Sequence, residues 1–458
     1  MTAISHELLI SGGTVLTVDP ELGDLPRGDV LVRDGLIVAV GPDIPATGAE
    51  VVDATGMIVL PGLVDTHRHL WQSAVRQIAA DWTLGQYAER MLGTLGPRFT
   101  AEDVYIADLM GALECLNGGV TTVLDWSHIM NTPEHADAAV AALNDSGMRA
   151  VFAYGAPGSP AADWYAADLA RVATTYFAAQ DAAGSPGSPG TSEQLVTLAL
   201  ASLGPEFSSL AETARDVRLA RELGIPTSLH VGAGPLGQKR AVTGMAKEGL
   251  LGPDIVYVHC NTCTDDELRF IADSGGHVSI SPRVEMQMGH GYPATGRLIA
   301  AGIRPSLSVD VVSGVGGSLF AEMRGTLEAE RGWQNHQALS RGEWPGELAL
   351  TTRDVVRMAT LEGARTLGMA DRIGSLTPGK RADILLLTVD TPSLGLVNHL
   401  PAAVTLSDSE NVHSVYVAGR PVKRAGKLLD HDLGALQERL RTSRDRLLTG
   451  TLWAPPTA

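Results

Sequence analysis

The sequence predicts an α/β protein: a (β/α)8 TIM barrel with a small β-sandwich domain formed by both chain termini. Two observations lead to this prediction. Strand-like and helix-like stretches alternate through the middle of the chain, and β-rich stretches occur at its two ends. The length of 458 residues also fits a barrel of roughly 250–350 residues plus one smaller companion domain.

The two ends of the chain supply the predicted sandwich. Short β-rich runs punctuated by Gly, Pro and Asp fill residues 1–60, and similar runs return in residues 374–430. We therefore expect these segments to form one composite domain, with the metal-dependent barrel, residues 61–373, inserted between them. Residues 431–458 are predicted to form a C-terminal tail with a helix near residues 433–448.

Eight strand candidates supply the barrel: GLVDTHRH, TTVLDWS, RAVFAYG, VTLALASLGP, PTSLHVGA, IVYVHC, HVSISP and RPSLSVD. Most are apolar and β-branched, as strands covered on both faces of a parallel sheet are. A doubly wound sheet produces the same alternation, so the barrel prediction depends on residues at the strand ends. A Gly/Ser/Pro-rich segment, residues 182–192, interrupts the alternation and is predicted to be a mobile surface loop.

Composition excludes several classes of partner. The formal net charge of −17 argues against nucleic acid, which requires a concentrated Lys/Arg face, and more weakly against anionic membranes. The first residues lack a basic segment followed by a long apolar run, and no stretch approaches 18 apolar residues. We therefore expect a cytoplasmic protein with a small-molecule substrate and without a nucleic-acid or membrane partner.

The three cysteines are too few for a disulfide framework and suit a reducing compartment. Two of them, Cys260 and Cys263, form a C-x-x-C directly after a strand candidate. A redox pair or half of a zinc site are alternatives, but no second Cys pair accompanies the motif. We interpret them as ordinary residues.

The H-x-H at His67 and His69 closes the first barrel-strand candidate. Alternate residues of a strand point to the same side, so both imidazoles can reach one ion. A pair of solvated loop histidines is the alternative, and the other strands decide between the two. His230, His259 and Asp310 each lie near the end of a later strand candidate. In a barrel these ends meet at one mouth, which predicts a site for zinc or ferrous iron with one position open for water.

Three longer stretches carry a resemblance to a known family: PGLVDTHRHL at the first strand, SISPRVEMQMGHGYPATGRLIAAGI around the seventh, and IGSLTPGKRADILLL near the C-terminus. Over almost the whole chain the sequence resembles the amidohydrolase superfamily. Within it, the chain is most similar to the mononuclear deaminase and chlorohydrolase branch of cytosine deaminase-like and triazine hydrolase-like enzymes. The resemblance implies one divalent ion per chain, zinc before ferrous iron, and a homo-oligomer, either a dimer or larger.

The same resemblance implies roles for individual residues. His67, His69, His230 and Asp310 are the implied metal ligands, and His259 lies beside the hydrolytic water or the substrate. A bound ion would lower the pKa of its water from about 15.7 toward 7. Asp310 is expected to take the proton of that water, and His259 to polarise the substrate or stabilise the developing negative charge.

One position departs from the pattern of the family. Deaminases of this branch usually carry a glutamate three residues after the fifth-strand histidine, and that carboxyl group protonates a ring nitrogen. Here the residue is Ala233. Glu206, after the fourth strand, and Glu285, after the seventh, are candidates to replace it, although most glutamates are surface residues. The glycines on either side of Ala233 are expected to leave extra room near the metal.

Further residues are candidates for substrate binding, together with Glu206 and Glu285. Trp126 is expected to stack on a flat substrate and Trp71 to form a wall of the pocket, although core packing explains either tryptophan equally well. His290, in MGHGYP, lines the pocket or is a solvated loop residue.

The leading functional hypothesis is a metal-dependent hydrolase. It would use a metal-activated water on a non-peptide C–N bond of a small cyclic or planar substrate of the amide, lactam or amidine type. One alternative is a deaminase or dechlorinase of an N-heterocycle with Glu206 or Glu285 as proton shuttle. Ala233 keeps open a second alternative, a metal-retaining lyase, cyclase or binding protein without hydrolytic activity.

Overall fold

The computed structural model describes residues 7–45, 47–155, 164–178 and 194–454. The predicted loop at residues 182–192 lies outside them. The described residues form these strands: β1 (Glu7–Val15), β2 (Leu25–Arg33), β3 (Leu36–Gly41), β4 (Glu50–Asp53), β5 (Met57–Pro61), β6 (Leu63–Arg68), β7 (Val120–Ser127), β8 (Arg149–Gly155), β9 (Val196–Ser202), β10 (Thr227–Val231), β11 (Ile255–His259), β12 (His277–Ile280), β13 (Ser306–Leu307), β14 (Ile384–Thr388), β15 (Val412–Val417), β16 (Arg420–Arg424) and β17 (Lys427–Leu428).

The α-helices are α1 (Leu84–Tyr87), α2 (Ala101–Asn117), α3 (Pro133–Ser146), α4 (Tyr165–Tyr176), α5 (Gly204–Phe207), α6 (Leu210–Glu222), α7 (Ala241–Lys247), α8 (Asp265–Ser274), α9 (Pro282–Met288), α10 (Thr295–Ala300), α11 (Leu319–Ser340), α12 (Thr352–Met358), α13 (Leu361–Thr366), α14 (Leu400–Thr405) and α15 (Leu433–Leu448). Short 3-10 turns occupy Leu70–Val75, Gly96–Arg98, Gly234–Lys239 and Ser409–Asn411, and a π-helical segment occupies Ala88–Leu95. None of the helices in the described ranges is long and apolar enough to cross a membrane.

Strands β6 to β13 form one eight-stranded sheet in sequence order, and the pairs from β8 to β13 are parallel. The two edges of this sheet meet. The amide of Asp310 donates to the carbonyl of His67 at 3.0 Å, and the amide of His69 donates to the carbonyl of Asp310 at 2.9 Å. These bonds close the sheet, which confirms the predicted (β/α)8 barrel and excludes the doubly wound alternative.

Both ends of the chain contribute to a second sheet, as predicted. Its nine strands run in the order β17-β16-β15-β14-β5-β1-β2-β3, with β4 beside β1. One face is a buried apolar cluster that includes Ile10, Val30 and Val59 from the N-terminal strands and Ile384 and Tyr416 from the C-terminal ones. Burial of these side chains away from water joins the two distant segments.

The chain groups into two compact units. One contains the described residues of Met1–Thr66, Glu114–Val123 and Ser318–His431. The other contains those of His67–Leu113, Leu124–Gly317 and Asp432–Ala458. The boundaries that the sequence suggested, at residues 60, 373 and 430, stay predictions.

Local sequence signals fix the helices that follow the barrel strands. Ser209 precedes α6 and Thr264 precedes α8. The side chain of each accepts a hydrogen bond from the backbone amide of a glutamate in the first turn, and that glutamate's side chain accepts the backbone amide of the Ser or Thr. This capping box satisfies amides that would otherwise lack partners at the helix start. The C-terminal helix α15 occupies the predicted residues, and Ser443 donates a 2.7 Å hydrogen bond to Asp103 of α2.

Candidate active site

Five ionisable side chains converge at the carboxyl ends of the barrel strands. The Nε2 atom of His67 lies 3.2 Å from the Nε2 atom of His230 and 3.3 Å from Oδ1 of Asp310. The Nε2 atom of His69 lies 3.2 Å from the same Asp310 oxygen, and the Nε2 atom of His259 lies 3.8 Å from Oδ2. Apart from the partly exposed His230, all are buried. The structure thus brings together the five residues that the strand ends suggested.

The donor atoms of His67, His69, His230 and Asp310 fit a divalent metal ion. Ligand atoms about 2.0–2.1 Å from a tetrahedral zinc ion are separated by about 3.3 Å, close to the spacing found here. Burial lowers the pKa of His67 to about 4 and that of His230 well below its ordinary value, which favours neutral imidazoles with free lone pairs. Two neutral ring nitrogens at this separation can both serve as ligands of one cation.

His69 is held in the orientation that this arrangement requires. Its Nδ1 atom lies 2.6 Å from the backbone carbonyl of Trp126, so that nitrogen carries the proton and Nε2 is free to bind a metal. The indole of Trp126 is buried and its ring centre lies 4.4 Å from that of His230. Trp126 therefore packs against the histidine cluster and forms one of its walls.

His259 is bound on its other side by Glu285. The Nδ1 atom of His259 lies 3.2 Å from Oε1 of Glu285, which also accepts the Ser281 amide at 2.8 Å. The second oxygen of Glu285 accepts the side-chain amide of Asn261 at 3.0 Å. Burial lowers the pKa of His259, but the hydrogen bond to Glu285 and the charge of Asp310 outweigh burial and raise it. Ser281 and Asn261 therefore hold the Glu285 carboxylate in place, and the carboxylate in turn orients the ring of His259.

The backbone is left-handed at two of the five residues. His259 has a φ of 78° and Asp310 a φ of 67°. Such conformations cost non-glycine residues about 1–3 kcal/mol and persist where surrounding contacts impose them. For Asp310 these contacts are the two hydrogen bonds that close the barrel. The hydrogen bonds that close the barrel thus also fix the orientation of the Asp310 carboxylate.

Trp71 and His128 lie together on one side of the cluster. Trp71 is fully buried, stacks edge-on against Phe99, and its Nε1 atom lies 3.4 Å from Nδ1 of His128. His128 in turn lies with its ring centre 4.2 Å from that of His69. Trp71 therefore reaches the histidines through His128, to which the sequence assigned no role. The available signal was the place of His128 directly after β7.

Glu206 occupies the position next to Ala233. From the short helix α5, one carboxylate oxygen accepts the amide of Gly232 at 2.7 Å and the other accepts that of Ala233 at 3.1 Å. The side chain is buried, and burial raises the pKa of Glu206 although the two backbone bonds lower it in part. Glu206 is thus a buried acid at the strand end that carries His230.

The expectation that glycines leave room beside the metal is wrong for Gly232. A Cβ there would lie 2.9 Å from Sγ of Cys263 and 2.9 Å from the carbonyl carbon of Cys260. The backbone of Cys260 and the thiol of Cys263 fill this space, and both cysteines are buried and free. The glycine is required for close packing of two strand ends and not for a larger pocket.

His290 lies beside His259. Its ring centre is 4.6 Å from that of His259, and its backbone carbonyl accepts the Gly234 amide at 2.6 Å. Burial lowers the pKa of His290 to about 3, which leaves it neutral. Within the described residues its Nδ1 atom has no hydrogen-bond partner.

Comparison with known proteins gives consistent results. A model of the amidohydrolase family matches residues 58–422. A 5-methylthioadenosine/S-adenosylhomocysteine deaminase of Symbiobacterium thermophilum is 32% identical over 410 residues, which are 85% of this chain and 87% of the relative. A zinc-bound adenosine deaminase of Xanthomonas campestris superposes with a TM-score of 0.81 at 25% identity, covering 97% of this chain and 99% of that one. Atrazine chlorohydrolase of Arthrobacter aurescens TC1 shares the fold, with a TM-score of 0.82 at 23% identity over 95% of this chain and 100% of that one.

Proposed function

The chain belongs to the amidohydrolase family, and on that basis we propose that it releases ammonia hydrolytically from an amino-substituted N-heterocycle. The sequence predicted hydrolysis of a non-peptide C–N bond in an amide, a lactam or an amidine. The proposal selects the amidine, in which the bond to the amino group is broken. The convergence of three histidines and Asp310 on one point, with His259 beside Asp310, carries it. The hydrolytic family and this complete set of donors leave the non-hydrolytic alternative without support.

His67, His69, His230 and Asp310 would hold one divalent ion per chain, zinc before ferrous iron. The bound ion would supply an activated water at neutral pH. Oδ1 of Asp310 faces His67 and His69, whereas Oδ2 faces His259. Asp310 can therefore bind the ion and still accept a proton, and His259, held by Glu285, can stabilise negative charge on the substrate.

The names of the relatives support a purine-like substrate. Two of them are deaminases of adenosine compounds, by their names. The buried indole of Trp126 beside His230 gives the site an aromatic wall that suits a flat heterocycle, and the neutral His290 offers a hydrogen-bonding nitrogen. The chlorohydrolase supports the fold alone, so we do not propose dechlorination.

A panel of substrates tests the proposal. Metal-loaded protein would be incubated with adenosine, 5-methylthioadenosine, S-adenosylhomocysteine and cytosine, beside amides and lactams, and ammonia would be measured. We expect ammonia from at least one amino-heterocycle, and one atom of 18O in the product when the reaction runs in labelled water. Turnover of amides or lactams without ammonia from any amino-heterocycle would contradict it. Asp310→Asn protein is the inactive control.

Two further predictions from the sequence belong with this proposal. We propose a homo-oligomer, a dimer or larger, which light scattering on the purified protein measures. We also propose a cytoplasmic location, for which the three free and buried thiols are the support. Labelling of these thiols under denaturing conditions, directly after extraction from the native host, would detect them as reduced.

A further inference from the structure

Hydrolysis of an amidine requires two proton carriers. One takes a proton from the attacking water, and the other protonates the ring nitrogen so that the neighbouring carbon becomes electrophilic. Asp310 can serve as the first. The second must be an acid close to the metal-binding histidines. Two buried glutamates are candidates: Glu206 accepts the amides two and three residues beyond His230, and Glu285 binds His259.

Glu285 is already occupied by hydrogen bonds. Its oxygens accept from the Ser281 amide, the His259 ring and the Asn261 side chain. These bonds engage three of the four lone pairs of the carboxylate and leave only one, on Oε2, for a proton. A proton there would also remove the negative charge that raises the pKa of His259. Glu285 is therefore a residue that positions His259, and it is poorly suited to exchange protons with a substrate.

Glu206 is held differently. Its two oxygens each accept one backbone amide, from Gly232 and Ala233, which leaves lone pairs on both oxygens. Lys239 fixes the backbone of Glu206 through a 2.5 Å hydrogen bond to its carbonyl. The carboxyl group is thus bound to the amides of the second and third residues after His230. At the third of these, Ala233, the chain itself has only a methyl group.

We infer that Glu206 is the proton-transfer residue of this enzyme, supplied from the end of β9 in place of a side chain at Ala233. The inference rests on the proposed deamination. Burial, which raises the pKa of Glu206, favours the uncharged carboxylic acid that the step requires. The charged and titratable groups that act on it are Glu267, which raises its pKa further, His259, which lowers it, and Lys239 at its backbone.

The protons balance in this scheme. Glu206 gives its proton to the ring nitrogen while the water oxygen bonds to the carbon and Asp310 takes one water proton. Asp310 passes that proton to the amino group, and the C–N bond breaks to release ammonia. The hydroxyl group now bonded to the carbon then gives its proton to Glu206 as the C=O bond forms. The products are ammonia and the cyclic amide, and both carboxyl groups regain their starting states.

A purely structural role for Glu206, holding the turn after His230, is the competing interpretation. Three variants separate the two: Glu206→Gln, the double variant Glu206→Ala with Ala233→Glu, and Glu222→Gln. The last changes an exposed glutamate at the end of the neighbouring helix α6 and is the matched control. Each is assayed as metal-loaded protein for kcat and KM on the substrate found for the wild type, for metal content and for thermal unfolding.

We expect Glu206→Gln to lower kcat by about 10²–10⁴-fold with metal content unchanged, as for loss of a general acid. The double variant should recover at least tenfold of this loss, because a glutamate at position 233 restores the acid from the adjacent backbone. In the wild type, kcat/KM should fall on the alkaline side as Glu206 ionises, and this limb should be absent in Glu206→Gln.

Retention of kcat within threefold of wild type in Glu206→Gln would overturn the inference. So would a loss of activity that follows loss of metal and is not recovered by the double variant, because that pattern indicates a structural role. Failure of the wild type to release ammonia from any heterocycle would instead overturn the proposed function.

Discussion

His259 and Glu285 form a buried pair, 3.2 Å apart, in which the carboxylate fixes the Nδ1 side of the ring and leaves Nε2 facing Asp310. The pair joins the ends of two neighbouring barrel strands, β11 and β12. Because the pKa of His259 is raised by this carboxylate and by Asp310, the ring is favoured as a hydrogen-bond donor. Its proton lies where negative charge would develop on a substrate.

Glu285→Gln tests this pair. The amide keeps the shape of the side chain but removes the negative charge, so the pKa of His259 should fall and the ring should lose its fixed orientation. We expect kcat to fall about 10–100-fold, as for loss of a partner that orients an active-site histidine. Metal content should not change, because Glu285 contacts none of the four proposed ligands in the described residues. An unaltered kcat, or loss of the metal, would refute the positioning role.

His67→Ala tests the metal site. The Nε2 atom of His67 lies 3.2 Å from that of His230 and 3.3 Å from Oδ1 of Asp310, so its removal leaves the ion with three protein ligands. We expect the metal content, measured by inductively coupled plasma mass spectrometry, to fall from about one atom per chain to a small fraction of that. His336→Ala, at an exposed position on α11, is the matched control and should keep its metal. Equal metal content in the two variants would exclude the proposed ligand set.

The convergence of the cluster could be predicted because parallel barrel strands end at one mouth, so a histidine at each strand end needs no further information. Other features depend on contacts between segments distant in sequence. Glu206 and Glu285 have the same sequence signal, an acid a few residues after a strand. Only the folded chain distinguishes them, since one accepts the amides beyond His230 and the other binds His259. The filling of the space beside Gly232 by Cys263 likewise depends on how two strand ends pack.

The buried pair Asp108 and Asp125 predicts a pH dependence of stability. Neither oxygen of Asp108 has a hydrogen-bond partner in the described chain, whereas Asp125 accepts the Leu70 amide at 3.1 Å. Burial and, for Asp108, the charge of its neighbour raise both pKa values, that of Asp125 to about 7. A raised carboxyl pKa stabilises the fold at low pH, and this contribution is lost as the pH rises through the folded-state pKa.

We therefore expect Asp108→Asn to increase the free energy of unfolding at pH 8 more than at pH 6. The amide removes one of two buried carboxyl groups and so the repulsion that appears when both ionise. Urea unfolding of metal-saturated protein at the two pH values measures the difference, with the exposed Asp273→Asn as control. An equal effect of Asp108→Asn at both pH values would contradict the predicted coupling.

Gly204→Ala tests whether the backbone turn at Gly204 determines the position of Glu206. Gly204 has a φ of +75°, and a Cβ there would lie 3.0 Å from the carbonyl oxygen of His230. Gly224 has a similar φ of +68° with nothing within 4 Å of a Cβ, so Gly224→Ala carries the conformational cost without the contact. We expect about 1 kcal/mol of destabilisation in the control and about 1–3 kcal/mol in Gly204→Ala. Because the contact pushes α5 away from His230, only Gly204→Ala should also lose kcat, at unchanged metal content. Equal kcat in the two variants would mean that the position of Glu206 does not depend on this turn.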